Sequence, residues 1–409
     1  MKNLYSGRLY WPETLSQYQT YLPLESDLTI QVAIIGGGLS GALCGYELAK
    51  QGIPSIILER GEIAGGSTAA NTGLLQFSND IMLSELIDQI GESAAVLFYR
   101  ACELAIRQLR DMSAELGKDV EFAARSSLYF ASHMQDVPKL KREYETLHSH
   151  GFQVEYWEPS DISARFPFRK PGAIVTHGDA EVNPFRFVHA AAEAAARKGA
   201  AIHEGTDIIA HETLADGRHR LRTSHGASVD AEHVIYAVGY EPEKLRGKLI
   251  KADLNRSFAI ATEKQPHLDS WYGRYLIWET ARPYSYMRTT TDGRILAGGL
   301  DEDTPIPLES DRLQHERTSR LHEQIKQLFP SCQAPLAYEW NATFGESRDN
   351  LPFIGKDPAW PGVYYCLGYG GNGTVYSMIA SQLVTDQIRG IDHPLADIVR
   401  LDRPTLQEA

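Results

Sequence analysis

The 409-residue chain has few cysteines, no surplus of basic residues and no long apolar run. Its four cysteines lie far apart without a CxxC pair, which predicts reduced thiols, a cytoplasmic location and no metal site. The formal net charge of -13 argues against nucleic-acid binding, which needs a clustered basic face. No apolar stretch reaches the roughly 18 residues of a membrane helix, and no secretory signal is recognisable at the start. We therefore expect a protein without a membrane span.

Three stretches have the strand, glycine turn and helix pattern of an α/β sheet. In the first, Val32 to Ile35 is a short apolar run, glycines follow it, and a second strand ends at Glu59. In the second, Asn183 and Pro184 are typical of a helix start. The three stretches are residues 31–59, 183–239 and 363–390.

The intervening segments favour antiparallel strands. Residues 126–131 and 152–157 predict short strands, and residues 284–299 predict a hairpin with Asp292 and Gly293 at its turn. The expected fold is therefore α/β (α+β): a Rossmann-like dinucleotide-binding domain with an inserted antiparallel-sheet substrate domain. The expected ranges are 1–26 for an N-terminal arm, 27–90, 170–250 and 337–409 for the dinucleotide-binding domain, and 91–169 and 251–336 for the substrate domain.

A glycine-rich motif, Gly36-Gly37-Gly38-Leu39-Ser40-Gly41, directly follows the first predicted strand. Gly36 permits a tight turn, Gly38 lets the backbone approach a pyrophosphate, and Gly41 lets the helix and strand pack closely. The helix N-terminus offers free N–H groups to phosphates, and Glu59 can accept hydrogen bonds from a ribose diol. By itself this motif leaves NAD and FAD open.

The segment from Gly65 to Gly73 is small, polar and rich in glycine. It resembles the second FAD-contacting stretch of the D-amino acid oxidase (DAO) superfamily, which includes glycine oxidase and sarcosine oxidase. In that family the positions of Ser67 and Thr68 meet the pyrophosphate, and those around Asn71 to Leu75 pass along the flavin. The resemblance implies a glycine oxidase-like fold that binds FAD.

Further blocks extend the resemblance over nearly the whole chain. Val238-Gly239-Tyr240 is similar to the family's glycine turn near the cofactor, and residues 351–355 and 368–373 are similar to its last two blocks. A helix starting near Thr374 would direct its positive end at the flavin pyrimidine and favour hydride acceptance. The resemblance implies FAD contacts from Gly36, Gly38, Leu39, Ser40, Gly41, Glu59, Arg60, Gly66, Ser67, Thr68, Asn71, Thr72, Gly73, Leu74, Leu75, Ile208, Val238, Gly239, Tyr240, Gly345, Gly370, Gly371, Asn372, Gly373 and Thr374.

Within the superfamily, residues 284–289 and 292–299 resemble γ-glutamylputrescine oxidase-like proteins. Strand alternation puts Tyr284, Tyr286 and Arg288 on one face, and the resemblance implies that they contact substrate. Phe344 stands where amino-acid oxidases of the group have an arginine for the substrate carboxylate. An α-amino acid is therefore less expected, unless Arg288 or Arg348 supplies the charge.

Members with covalent flavin have a cysteine near the position of Thr343 or a histidine near Ala70, and this sequence has neither. The resemblance therefore implies non-covalent FAD. We expect oxidation of a small primary or secondary amine, in which hydride passes from the α-carbon to flavin N5 and the imine is then hydrolysed. No side chain is assigned as a catalyst.

Several alternatives remain open at this stage. One is an oxidase or dehydrogenase of glycine, sarcosine or a D-amino acid; another is a flavoprotein with a non-oxidase role, such as tRNA modification; a third is a scaffold that keeps FAD for structure. The electron acceptor is oxygen or another carrier. The aromatic N-terminal arm packs on its own chain or on a second copy, which leaves a homo-oligomer open.

Overall fold

The computed structural model describes residues 4–240, 252–304, 306–367 and 369–406. The end of the predicted dinucleotide-binding segment at 241–250, the first residue of the following segment, and Gly368 of the C-terminal glycine block lie outside the described residues. So do the first three residues of the predicted arm.

The described residues form two β-sheets with helices packed on them. The strands are β1 Tyr5–Gly7, β2 Leu28–Ile35, β3 Ser55–Leu58, β4 Leu74–Leu75, β5 Ala123–Phe130, β6 Val154–Trp157, β7 Ala173–Glu181, β8 Ala201–His203, β9 Ile208–Thr213, β10 His219–Thr223, β11 Ser228–Gly239, β12 Ala252–Thr262, β13 Leu276–Glu279, β14 Ser285–Thr289, β15 Ile295–Glu302, β16 Leu336–Ser347, β17 Phe353–Lys356 and β18 Val363–Leu367.

The α-helices connect and cover these strands. They are α1 Leu39–Lys50, α2 Ser67–Ala70, α3 Leu83–Ile90, α4 Glu92–Glu115, α5 Val137–Ser149, α6 Pro159–Ser163, α7 Pro184–Arg197, α8 Asp311–Leu328, α9 Gly373–Ile388 and α10 Ala396–Val399. Short 3-10 turns include Trp11–Thr14 and Gly370–Asn372. Among the described residues, no helix combines the length and apolarity that crossing a bilayer requires.

The smaller sheet has the order β17-β18-β11-β2-β3-β8, and β9 and β10 extend it beside β11. Its central strands are parallel, with β2 between β3 and β11. All four residues of β3 are buried, because α1, α7 and α9 cover one face of the sheet. The strands predicted at 32–35, 55–58 and 363–367 therefore lie in the parallel part of one sheet. The mixed α/β fold is confirmed.

The larger sheet has the order β1-β16-β12-β15-β14-β13-β5-β7-β4, with β6 paired to β7, and is mainly antiparallel. The predicted hairpin at 284–299 is present as β14 and β15. Three strands that fell within the expected dinucleotide-binding ranges, β4, β7 and β16, pair in this sheet instead. The larger sheet therefore includes residues from both expected domains, because β7 pairs with β5 and β16 pairs with β12 over long antiparallel stretches. The division into domains stays a proposal.

Candidate active site

The glycine motif lies between β2 and α1, where the sequence placed it. Gly36 has a φ of +107°, in the region that favours glycine. A Cβ on Gly41 would lie 1.8 Å from the carbonyl oxygen of Gly36, so helix and turn approach as closely as the motif requires. The Glu59 carboxylate accepts the Gly37 N–H at 2.7 Å and the Gly61 N–H at 2.7 Å. These bonds fix an acidic group beside the turn.

A cavity of about 1210 Å³, the cofactor cavity, runs from this motif across the end of the parallel strands. Its lining residues are Leu4, Ile35, Gly36, Gly38, Leu39, Ser40, Leu58, Glu59, Arg60, Gly66, Ser67, Thr68, Asn71, Thr206, Asp207, Ile208, Tyr236, Ala237, Val238, Gly239, Tyr240, Tyr369, Gly373 and Ser377. The buried Ser67 hydroxyl has no hydrogen-bond partner among the described residues. Such an orphaned donor beside a helix N-terminus fits a bound pyrophosphate.

A second cavity of about 780 Å³, the substrate cavity, adjoins the first and shares Asn71 with it. Its lining residues are Asn71, Thr72, Leu74, Gln76, Ser78, Asn79, Asp80, Ser257, Trp278, Tyr284, Tyr286, Asp301, Phe344, Gly370, Gly371 and Asn372. Tyr284, Tyr286 and Phe344, which the resemblance assigned to substrate, are thus brought together. None of these lining residues is Arg or Lys, so within the described chain the wall itself carries no cation.

Three carboxyl groups interact electrostatically around the substrate cavity: Asp80 and Asp301 line it, and Glu346 lies outside its lining. Burial raises the pKa of Asp301 to about 6. Burial and then the charges of Asp80 and Asp301 raise the pKa of Glu346 to about 7. Burial also raises the pKa of Asp80, although the Gly371 N–H donates to that carboxylate at 3.2 Å and opposes the rise. Because the site is partly buried and the carboxylates repel one another, a bound cation would stabilise the ionised form of all three groups.

Two further contacts define this acidic group. A Cβ on Gly371 would lie 2.8 Å from Asp80 Oδ2, so a larger residue there would displace the carboxylate from its present position. Asp301 Oδ1 is a buried atom without a hydrogen-bond partner among the described residues. An unpaired buried carboxylate oxygen is costly, and a ligand that donates N–H bonds would relieve this cost.

The expectation for Arg288 needs correction. Its Nε donates to the Thr72 carbonyl at 2.8 Å, its Nη2 to the Val182 carbonyl at 3.0 Å, and its Nη1 lies 3.3 Å from Glu181 Oε2. The side chain is 2% exposed and does not line the substrate cavity. It points to the expected sheet face, but the 70–74 segment lies over it. Arg288 therefore supports that segment instead of contacting substrate.

Five residues expected at the FAD line neither cavity: Gly41, Gly73, Leu75, Gly345 and Thr374. Gly345 lies against the Tyr240 ring, where a Cβ would be 3.0 Å from the nearest ring atom. Leu75 is fully buried, and Thr374 lies in the first turn of α9. The Thr374 hydroxyl is buried without a hydrogen-bond partner among the described residues, and the contact of these five residues with FAD stays a prediction.

Sequence reasoning missed several cavity residues. Asp80 belongs to a polar run, Ser78-Asn79-Asp80, that follows the short strand β4 and carried a readable turn signal. Asp301, Ser257 and Trp278 come from three strands of the large sheet, and their convergence depends on strand order. Asp80 thus had a signal in the sequence. The positions of Asp301, Ser257 and Trp278 depend on strand pairing, which only the fold specifies.

Comparison with known proteins agrees with this geometry. The family model for DAO, FAD dependent oxidoreductase, matches residues 31–387. The gamma-glutamylputrescine oxidoreductase of Escherichia coli (strain K12) is 23% identical over 393 residues, covering 93% of this chain and 88% of that protein. The glycine oxidase of Geobacillus kaustophilus (strain HTA426) is 25% identical over 373 residues, covering 87% of this chain and 92% of that protein.

The crystal structure of glycine oxidase from Geobacillus kaustophilus superposes with a TM-score of 0.78 at 22% identity, covering 92% of this chain and 99% of that one. The resemblance stated from the sequence is thereby confirmed at the level of fold and family. The cofactor is FAD, as the family description states. With a family match over most of its length, the chain belongs to the DAO family of FAD-dependent oxidoreductases.

Proposed function

We propose that this enzyme oxidises the C–N bond of a small cationic primary or secondary amine, with FAD held non-covalently. One observation carries the proposal: the substrate cavity is lined by two carboxylates and four aromatic side chains, and by no Arg or Lys among the described residues. The carboxylates are Asp80 and Asp301, and the aromatic residues are Trp278, Tyr284, Tyr286 and Phe344.

These residues have separable tasks. Asp301 and Asp80 attract the ammonium form of the amine, and aromatic faces add cation–π attraction of about 0.5–2 kcal/mol. The aromatic walls also exclude water. Packing against them holds the carbon next to nitrogen in one orientation. When bound, FAD supplies the two-electron acceptor for the C–H bond at that carbon. No side chain is assigned as a general base.

An α-amino acid fits this cavity less well. Its carboxylate would face Asp80 and Asp301 without an arginine to pair with, since Phe344 is apolar and Arg288 is paired with Glu181. Arg282 is exposed, lies over the Tyr284 ring at 5.0 Å and does not line the cavity, although its charge opposes the rise in the pKa of Asp80, Asp301 and Glu346. Like-charge contacts in a partly buried site oppose binding strongly.

Non-covalent attachment is supported by the cavity linings, which contain no Cys or His among the described residues. Acid precipitation should therefore release the flavin into the supernatant. We also propose oxygen as the electron acceptor, in line with the name of the glycine oxidase relative. Flavin that is reduced by substrate and then stays bleached in air would contradict an oxidase and favour a dehydrogenase with another acceptor.

The decisive experiment is anaerobic titration of the holoenzyme, followed by flavin absorbance. The panel is γ-glutamylputrescine, putrescine, sarcosine, glycine and D-alanine. We expect an amine without a carboxylate on the reacting carbon to reduce the flavin fastest. Fastest reduction by glycine or D-alanine would refute the proposal, and no bleaching with any amine would favour a non-redox role.

A substitution makes this test sharper. Phe344→Arg restores a cation to the substrate cavity, and should improve reduction by glycine relative to putrescine roughly tenfold or more, as expected for a charge-assisted pair. Phe344→Leu is the matched control, because it changes the ring without adding charge. Equal shifts in the two variants would show that size, not charge, sets the preference.

A further inference from the structure

We propose that Trp11, in the N-terminal arm, is a positioning residue for the FAD: it holds the segment that runs between the cofactor and substrate cavities. That segment, Ala70–Gly73, joins the end of α2 to the start of β4. Asn71 lines both cavities and Thr72 lines the substrate cavity. A displacement of this segment would therefore be felt at the bound flavin.

Three consecutive carbonyls of the segment are held by side chains from distant parts of the chain. The Trp340 indole N–H donates to the Ala70 carbonyl at 2.9 Å. The Trp11 indole N–H donates to the Asn71 carbonyl at 2.5 Å. Arg288 Nε donates to the Thr72 carbonyl at 2.8 Å. The backbone of this irregular segment is thus fixed from outside, one peptide after another.

The three donors are themselves buried. Trp11 is 0% exposed, Trp340 is 1% exposed and Arg288 is 2% exposed. The Arg288 guanidinium lies over the Trp11 ring at 5.1 Å, so the two donors support each other. Removing the indole N–H would leave the partly buried Asn71 carbonyl without its donor and would destabilise the present geometry of the segment. The Asn71 peptide would then turn toward another donor.

The arm that carries Trp11 is anchored on the larger sheet. Strand β1 pairs with β16, and the backbone N–H of Thr343 donates to the Leu4 carbonyl at 2.8 Å. The Tyr10 hydroxyl donates to Asp292, in the β14–β15 turn, at 2.9 Å. Leu4 lines the cofactor cavity. The arm therefore connects the substrate-side sheet to the FAD segment, which gives the sequence's aromatic N-terminus a role inside one chain.

The test is Trp11→Phe, which keeps an aromatic ring and removes the N–H donor. The matched control is Trp271→Phe: Trp271 is 2% exposed, and its indole N–H donates to the Tyr275 carbonyl at 2.8 Å. Trp271 stacks on Phe329 in a core that borders neither cavity. Both variants lose one buried indole hydrogen bond, and only one of these bonds reaches the FAD segment.

Two readouts need no substrate: the dissociation constant of FAD from the reconstituted apoprotein, and the visible absorption spectrum of the bound flavin. We expect Trp11→Phe to weaken FAD binding about fivefold to thirtyfold, which corresponds to about 1–2 kcal/mol, and to shift the flavin bands. Trp271→Phe should change the melting temperature but neither readout. Wild-type affinity and spectrum in Trp11→Phe, or equal losses in both variants, would overturn the proposal.

An isosteric replacement covers the case in which Trp11→Phe does not fold. Benzothienylalanine at position 11 keeps the size and shape of the indole and removes only its N–H group. Weakened FAD binding in this variant supports the positioning role. Unchanged binding refutes it, independently of any result on substrate turnover.

Discussion

The acidic group at the substrate cavity predicts a binding step that depends on pH. Asp301 has a pKa raised to about 6 by burial, so its charge is lost as the pH falls through that value. A substrate amine is a poor probe, because its own protonation changes the reacting fraction. A quaternary ammonium inhibitor keeps its charge at every pH and therefore reports the carboxylates alone.

The magnitude follows from the titration. A carboxyl group with a pKa of about 6 is almost fully ionised at pH 8 and about one-eleventh ionised at pH 5. If the ionised form is required, the inhibition constant rises about tenfold over this range. Glu346, with a pKa of about 7, would steepen the rise if its charge contributes as well. Because the three carboxyl groups interact, the measured midpoints belong to the group rather than to one residue.

The assay is competitive inhibition by tetramethylammonium in wild type, Asp301→Asn and Asp303→Asn. Asp303 is the control, since it is an exposed carboxylate two residues away and outside both cavities. We expect Asp301→Asn to weaken inhibition at pH 8 and to flatten its dependence near pH 6, while Asp303→Asn behaves like wild type. A neutral isostere such as tert-butanol should show no dependence. Wild-type inhibition that is level from pH 5 to 8 would refute the reasoning.

Two other predictions concern the scaffold. Gly41→Ala should abolish FAD retention and destabilise the apoprotein in urea unfolding, because the added Cβ would lie 1.8 Å from the Gly36 carbonyl oxygen. Gly66→Ala is the control: its Cβ would have open space, so apoprotein stability should stay near that of wild type. Arg403→Met should cost about 3–5 kcal/mol in the same assay, since it leaves the Asp349 carboxylate buried without its ion pair, and adding Asp349→Asn should recover part of that loss.

The cofactor half of the site was predictable because its signals are local. The glycine turn, Glu59 and the Ser67-Thr68 pair lie within about 35 residues of each other, and each has a backbone reason for its residue type. Strand alternation also placed Tyr284 and Tyr286 correctly on one face. Their position in the substrate cavity confirms that two-residue periodicity survives in the hairpin.

The substrate half was predictable only in part, because its residues converge through strand order. Asp80 and Asp301 are more than 200 positions apart, and neither stands in a motif. The order of the larger sheet interleaves strands from both ends of the chain, such as β1 beside β16 and β13 beside β5. Single-sequence patterns do not encode such pairings, so the sequence could not predict that Asp80 and Asp301 meet, although the polar run that contains Asp80 had a readable turn signal.

Arg288 shows why charge in a cavity cannot be counted from the sequence. Its alternation with Tyr284 and Tyr286 is real, yet its guanidinium donates to the Thr72 and Val182 carbonyls and lies 3.3 Å from Glu181. Its N–H groups therefore serve protein partners, and it does not line the substrate cavity. Arg282 is exposed and lies outside the cavity wall, yet its charge opposes the rise in the pKa of Asp80, Asp301 and Glu346.

The net charge of the side chains around the substrate cavity is negative, because Asp80, Asp301 and Glu346 outnumber the one exposed arginine, Arg282. Burial is the first cause of the raised pKa values of these carboxyl groups, and like charge adds to it: Asp80 acts on Asp301, and Asp80 and Asp301 act on Glu346. A cationic ligand relieves the repulsion and an anionic one increases it. The proposed preference for an amine over an amino acid therefore rests on carboxylates that have no cationic partner in the cavity wall, as well as on the phenylalanine at position 344.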